Sequence, residues 1–579
     1  MYTGSRHFGF ARLGAAGAAA AALIAACGAE GDFAAESPPG ADAGIGDDQP
    51  ACQTSSECPT GMVCTDFGTC VPPGEGQDAG LPAEVEFEFS TPRSSLRYVY
   101  VAMPELDALA KIDGETLEVS TVTVGRRPEV VAAAPGSDTA VSLDPENATA
   151  AIVRPSDGGD ETRVVPTLPG LNAVEWDPTG RFAVAYFDLA KALSEAGELD
   201  PIGDVGSLQD VTVIERGEGG EPDRTADMTV GFQPRSVSFD EGGQFAYVVT
   251  SDGVSAIDLR AAIEDGPALS VPIPITGDPF ADPDDFEVQV VPSGEYAVVR
   301  ESERAEVAVI SLASDSAGAR EVVPLSAAPT DIELDPDSER AYAVLRDSAE
   351  LAVIDLAKVA GADETAGEEG VTIVELDAER RVGSLALAPD GERGVLFTNA
   401  EVRREITFVE LGEPPFDVTT HPLEKAVRAV SFSPSGETAL VIHSKQPGDP
   451  GEAESQDEFL ARSYGYSVLH PDSGFSRLEI TPVDPGPFAF AEDRPLAYVA
   501  LDGGDAEDAV RKLHEIDLDS FVIRHRDLAS PPEAVGILTG ADAVFVAQRH
   551  PLGRVSFLDP DEDAMRTLTG FDLDGRIVE

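Results

Sequence analysis

The 579-residue chain has little basic charge. Only 40 Lys+Arg stand against 106 Asp+Glu, a formal net charge of -66. A surface of that sign repels phosphate backbones and anionic headgroups, which excludes nucleic acid as a partner. Aromatic residues are scarce at 6 %, with one tryptophan, Trp176. Beyond residue 26 no stretch approaches the ~20 consecutive apolar residues of a membrane helix. There is no Gly-x-Ser-x-Gly elbow, no Walker loop, no His-Glu-x-x-His and no Cys-x-x-Cys-His. The local signatures of serine hydrolases, P-loop enzymes, zinc peptidases and c-type haem proteins are therefore missing. What is present is apolar residue enough, 42 %, for a sizeable core. The length implies three or four domains unless the fold repeats.

Residues 1–26 read as an export signal. Arg6 and Arg12 precede an Ala-rich apolar run from Leu13 to Ala26, too short for a stable membrane span. The run ends Leu23-Ile24-Ala25-Ala26-Cys27, which resembles the bacterial lipobox. That resemblance implies lipidation of Cys27. Gly28, where Asp would favour inner-membrane retention, implies the outer membrane, with the chain facing periplasm or exterior.

Cys52, Cys58, Cys64 and Cys70 follow at strict Cys-x5-Cys spacing. In an exported chain this reads as two disulfides, with three possible pairings. Zinc ligation is the weaker reading, because zinc ligands come as closer pairs. Residues 58–64 resemble short Cys-rich extracellular modules. The module 52–70 is flanked by a tether (27–51) and a linker (71–83). Both are rich in Ala, Gly, Asp and Pro and are expected to be flexible.

Residues 84–579 repeat. A short apolar strand meets a Pro/Asp/Gly turn, then a strand rich in Tyr, Val and Ala, then a strand ending near Asp, then a more variable one. The first turn recurs, for example, as AVEWDPTGRFAVAY (173–186), DIELDPDSERAYAVL (331–345) and AVSFSPSGETALVI (429–442). Alternating apolar residues and tight turns predict antiparallel hairpins. Four strands in about 50 residues is the size of a β-propeller blade. Ten second strands start near 98, 140, 183, 247, 297, 342, 395, 439, 498 and 544. The expected fold is thus all-β, a propeller of about ten four-stranded blades. It closes as one large ring, a ring with extra blades, or two smaller rings. The last strand (567–578) or the first (85–89) is expected to complete a shared blade. The best helical candidate is 190–199.

The pattern resembles the YVTN family of β-propellers. Tyr98-Val99, Tyr247-Val248 and Tyr498-Val499 match its Tyr-Val step. Asp113, Asp258, Asp355 and Asp517 match the Asp closing its third strand, and Pro389-Asp390-Gly391 its turn. Asn after Tyr-Val is rare here, and the blade lengths are irregular.

Nine residues at the end of the second strand form a candidate rim: Asp144, Asp188, Asp252, Glu301, Asp347, Asn399, His443, Asp502 and His550. In a propeller these share one face. An acidic rim with two imidazoles suits a divalent cation such as calcium, a cationic ligand or a sugar, although strand-end loops are polar in any propeller. Two insertions, 187–209 and 446–466, lengthen loops on that same face, where partners are recruited. The carboxylate groups Asp282/Asp284/Asp285 and Asp559/Asp561/Glu562/Asp563 lack calcium-loop spacing and read as solvated turns.

The leading expectation is a lipid-anchored cell-envelope protein, monomeric, binding a protein or glycan and catalysing nothing. No cofactor and no catalytic residue is assigned. The alternative is a lactonase-like propeller hydrolase with a metal or carboxylate site at the channel mouth.

Overall fold

The computed structural model describes residues 94–578, with breaks at 157–158, 196–205, 219, 279–280, 314–315, 361–369, 505–508, 563 and 571–576. Upstream it describes only Glu84 and two short strands. The chain divides into a body, Glu86–Glu579, and a second unit, Ala11–Val85. In the second unit Val63–Cys64 pairs antiparallel with Cys70–Val71, placing Cys64 opposite Cys70. Cys27, Cys52, Cys58 and the tether lie outside the described residues. No helix among the described residues is long and apolar enough to cross a membrane.

The body contains ten antiparallel meanders, blades 1 to 10, beginning at residues 98, 130, 173, 234, 286, 331, 384, 427, 485 and 532. The first strands of blades 2 and 3, 6 and 7, 7 and 8, and 9 and 10 touch one another, which places them nearest the ring axis. The second strands are apolar on both faces because each blade is sandwiched between two others. Ala140–Asp144, Phe182–Tyr186 and Ala439–His443 are buried throughout. Outer strands can alternate, as in Arg224–Thr229, because one face meets water.

Ten clusters of buried apolar residues hold the body together, one at each junction between consecutive blades. The last joins Val99 and Ile112 of blade 1 to Leu538, Phe557 and Leu568 of blade 10. The ten blades therefore form one closed ring.

The seam differs from the sequence expectation. The C-terminal strands Ala564–Thr569 and Ile577–Val578 both extend the outer edge of blade 10, so the last strand does not complete blade 1. Residues 85–89 lie outside the described residues. Besides the apolar cluster, the seam carries hydrogen bonds from Gly540 N to Leu96 O (2.7 Å) and from Ser94 Oγ to Ile537 O (3.0 Å).

Blade 4 departs from the pattern in another way. It has three strands, and its chain then crosses to blade 3, where Ala268–Leu269 pairs in parallel with the outer strand. The chain returns to bridge Ile273 with Val254.

The register explains the repeating residues. Tyr98 stands opposite Asp113, as Phe245 stands opposite Asp258 and Leu496 opposite Asp517. Tyr100, not Tyr98, is therefore the counterpart of Tyr247 and Tyr498, and the same register adds Tyr342. Tyr100 donates its hydroxyl to Asp138 O in the first hairpin of blade 2 (2.7 Å). Tyr247 lies against Gly294 in the first hairpin of blade 5, where a Cβ would come within 2.2 Å of its hydroxyl. Gly294 also has φ 74°, so both space and backbone require glycine.

The Asp that ends the third strand caps the segment just after it. Asp113 accepts from Glu115 N and Thr116 N, and Asp517 accepts from Ser520 N. Asp258 and Asp355 cap short helices, Leu259–Asp265 and Leu356–Ala360, which the sequence pattern does not announce.

Candidate functional site

Antiparallel strands place all second-to-third connections and all blade-to-blade crossovers on one face of the ring, the rim face. The nine candidate rim residues sit at or just after second-strand ends, next to that face, but few of their side chains are available. Asp144 is buried and accepts from Asn147 N and its side-chain amide. Asp188 accepts from Lys191 N, capping a helix. Asp252 accepts from Phe232 N and Asp502 from Gly504 N. Glu301 pairs with Arg304 at 2.8 Å. Asn399 donates to Arg428 O, and His550 Nδ1 accepts from Leu552 N. Asp347 is exposed. Short polar side chains at strand ends bond the nearest amides, which is the ordinary chemistry of turns. Among the described residues no three His, Cys, Asp or Glu side chains come together as a metal site. Asp282 and Asp559 likewise accept from amides two residues on.

His443 is a correction. It is fully buried and does not face the rim. Its Nδ1 meets Ala426 O at 3.1 Å, so that nitrogen carries the proton, and Nε2 accepts from Ser467 Oγ at 2.6 Å. Burial pushes its pKa down to about 3. The spacing is that of a nucleophile–base pair, but blade 10 shows its meaning. There Gln548, at the matching strand end, accepts from Ser530 N and donates to Ser556 Oγ (2.6 Å). A glutamine doing the same work marks the His443–Ser467 contact as a blade-locking hydrogen bond.

The two insertions fall on the rim face, in blades 3 and 8, five places apart in a ring of ten and so on opposite sides. The first carries helix α1 (Leu189–Glu195). Leu189 and Ala192 pack on the core between blades 2 and 3. Asn172 and Asp188 exchange two hydrogen bonds at 2.6 and 2.9 Å, and Lys191 Nζ reaches Asn172 O.

The second insertion, 444–463, carries helix α2 (Gln456–Arg462), which buries no residue. Ser455 caps its start, accepting from Glu458 N. Its end is held by a residue the sequence did not single out. Lys425 is enclosed, 1 % exposed, and donates from Nζ to Leu460 O and to Ser463 O (2.8 Å). Burial, then the charges of Arg404 and Lys445, pushes its pKa down to about 8. The crossovers align through matching backbone bonds from Leu423, Leu325 and Leu528. By that alignment the position of Lys425 is Ala327 in blade 6 and Ser530 in blade 10. The blade with the α2 insertion is thus the one among these three with a lysine beneath it.

A further polar chain runs between blades 8 and 9. Tyr466 OH meets His514 Nδ1 at 2.9 Å, His514 stacks on His525 with centroids 4.1 Å apart, and His525 Nε2 lies 3.4 Å from Glu479. Burial lowers the His514 pKa to about 3. Apolar side chains are exposed on the rim face: Leu193 on α1, Phe459 on α2, and Phe232 and Val402 in nearby loops.

No family model and no curated protein matches the chain. Solved structures similar to it include dihydro-heme d1 dehydrogenase NirN in complex with DHE, at 12% identity and TM-score 0.41, covering 83% of this chain and 79% of that one. AztD from Citrobacter koseri, in its apo form, is 13% identical with TM-score 0.36, covering 68% and 95%. The β-propeller domain of Cps50 (Swd1) from Myceliophteria thermophila is 13% identical with TM-score 0.31, covering 57% and 92%. At such identities and TM-scores these likenesses carry no inference about this chain, whose fold rests on its own strand order and blade junctions.

Proposed function

We propose that this ten-bladed propeller is a lipid-anchored binding protein of the bacterial cell envelope, docking a protein partner on its rim face. The observation that carries the reading is the pair of insertions, α1 and α2, on opposite sides of one face. Leu193 on α1 is 55% exposed and Phe459 on α2 is 41% exposed. Apolar side chains raised on opposite supports suit a partner broad enough to touch both, and a protein surface fits this better than a glycan.

The anchor in this reading is Cys27, matching the lipobox, at the outer membrane. Cys52, Cys58, Cys64 and Cys70 form a disulfide-braced element between anchor and ring. The Tyr, Asp and turn residues accord with a YVTN-like repeat, and a propeller fold does not by itself assign a function.

The test is crosslinking in the protein's own cells followed by capture and mass spectrometry, comparing wild type with a Leu193→Asp/Phe459→Asp variant. An envelope protein captured stoichiometrically by wild type and lost from the variant supports the reading. Identical captures from both, or none from wild type, overturn it.

A further inference from the structure

Three cations from blades 7 and 8 converge on the α2 insertion. Arg404 donates to Asp457 Oδ1 and Asp457 O, both at 3.3 Å. Lys425 donates to Leu460 O and Ser463 O. Lys445, at the root of the insertion, donates to Gly448 O at 3.4 Å. Every oxygen these contacts use belongs to one segment, 446–463. All but one are backbone carbonyls, and the exception, Asp457, is 82% exposed on its side chain.

This is an unusual way to hold a loop. Helix α2 buries no side chain, so apolar burial does not fasten it. An enclosed ammonium facing neutral carbonyls is poorly compensated, since bonds between two charged groups are about twice as strong as neutral ones. The lowered proton affinity of Lys425 has that same origin. A segment whose helix buries no side chain also opens at lower free-energy cost than one packed into a core. A ligand with formal negative charge would satisfy Lys425 and Lys445 better than the carbonyls they now meet, and would compete with the exposed Asp457 carboxylate for Arg404.

The geometry points to an oxyanion-binding seat formed by Arg404, Lys425 and Lys445, with the segment 446–463 as its built-in occupant. A carboxylate- or phosphate-bearing ligand displaces the segment and takes its oxygens' places. The site lies on the face assigned to partner docking but does not depend on that assignment. It is tested with small anions, so either idea can fail alone.

The experiment titrates the full chain with inorganic phosphate and, separately, with succinate, at constant ionic strength. Calorimetry reads binding, and amide exchange reads residues 446–463. Saturable binding that speeds exchange across 446–463 is the expected result. Asp457→Asn, which frees Arg404 from its carboxylate, is expected to bind about tenfold tighter, and Lys425→Met to bind at least about tenfold weaker. Arg404→Gln, on the more exposed side, repeats the loss should Lys425→Met fail to fold. Binding of both probes supports a general oxyanion seat, and binding of one identifies its chemistry. Absence of saturable binding in wild type and Asp457→Asn, or binding that leaves exchange of 446–463 unchanged, overturns the proposal.

Discussion

The two insertions solve one problem by opposite means. Helix α1 in blade 3 extends a core: Leu189 and Ala192 join the apolar cluster between blades 2 and 3, and Asn172 closes the helix start. Helix α2 in blade 8 contributes nothing to a core and is fastened by Lys425 and Arg404. Apolar anchoring adds to stability and responds little to salt, whereas the exposed Arg404–Asp457 pair is screened and the enclosed ammonium of Lys425 carries a desolvation cost. Two loops on one face are therefore expected to behave as a rigid post and a movable one.

The sharpest way to break this comparison is at the root of the α2 insertion. His443→Ala is expected to lower the unfolding free energy by about 3 kcal/mol, through a cavity and the orphaned Ser467 hydroxyl, Ala426 O keeping its bond from Ser444 N. Gln548→Ala in blade 10, with no insertion nearby, is expected to cost a similar amount. Chemical denaturation of both variants checks this, and a large difference between them would show that His443 does more than lock its blade.

Next comes Asn172→Ala, which strips α1 of the bonds at its start. Amide exchange over 188–192 is expected to gain what about 2 kcal/mol of lost protection implies. Exchange over 446–463 should not move.

The pH dependence separates the two halves of the ring. His443 and His514 have folded pKa values near 3, below the unfolded value of 6.5. The unfolded chain binds more protons in that window, so stability falls as pH drops from about 6.5 toward 3. Asp331, between blades 5 and 6, works in the opposite sense. Burial, then Glu287, raises its pKa from 3.8 to about 7. The folded chain binds the extra proton there, so its contribution weakens as pH rises through that window. Asp331→Asn is expected to raise the denaturation midpoint above pH 7 and leave it unchanged below pH 4. An equal shift at both pH values would remove Asp331 as the cause.

Smallest globally is Lys425→Met. Losing two hydrogen bonds while relieving a buried charge is expected to change overall stability by no more than about 1 kcal/mol. Exchange over 446–463 should nevertheless rise, and added salt should raise it in wild type but not over 188–192.

Much of the ring is legible in the sequence because its repeating residues obey local rules. The Pro-Asp-Gly turns, the apolar second strands and the Asp closing the third strand each follow from hairpin geometry. Their recurrence locates ten blades. What local pattern cannot carry is register, and so Tyr98 is matched where Tyr100 belongs. Nor can it say whether a carboxylate at a strand end faces a ligand or its own backbone. Asp144, Asp188 and Asp502 all bond neighbouring amides. Lys425 is invisible for a different reason. A lone lysine in a crossover loop reads as solvated, and only the fold brings it beneath a helix some 35 residues further along.

The seam between blades 1 and 10 has a consequence for how the chain is made. Its apolar cluster joins Val99 to Leu568, residues at the two extremes of the body. Every other junction forms between neighbours in sequence and is complete soon after its second blade is synthesised. The seam waits for the whole chain, which at ordinary synthesis rates means tens of seconds with two bare blade faces. A nascent arc with such ends is the form most prone to pair with another copy. Truncation near the C-terminus should therefore produce aggregates rather than a smaller ring.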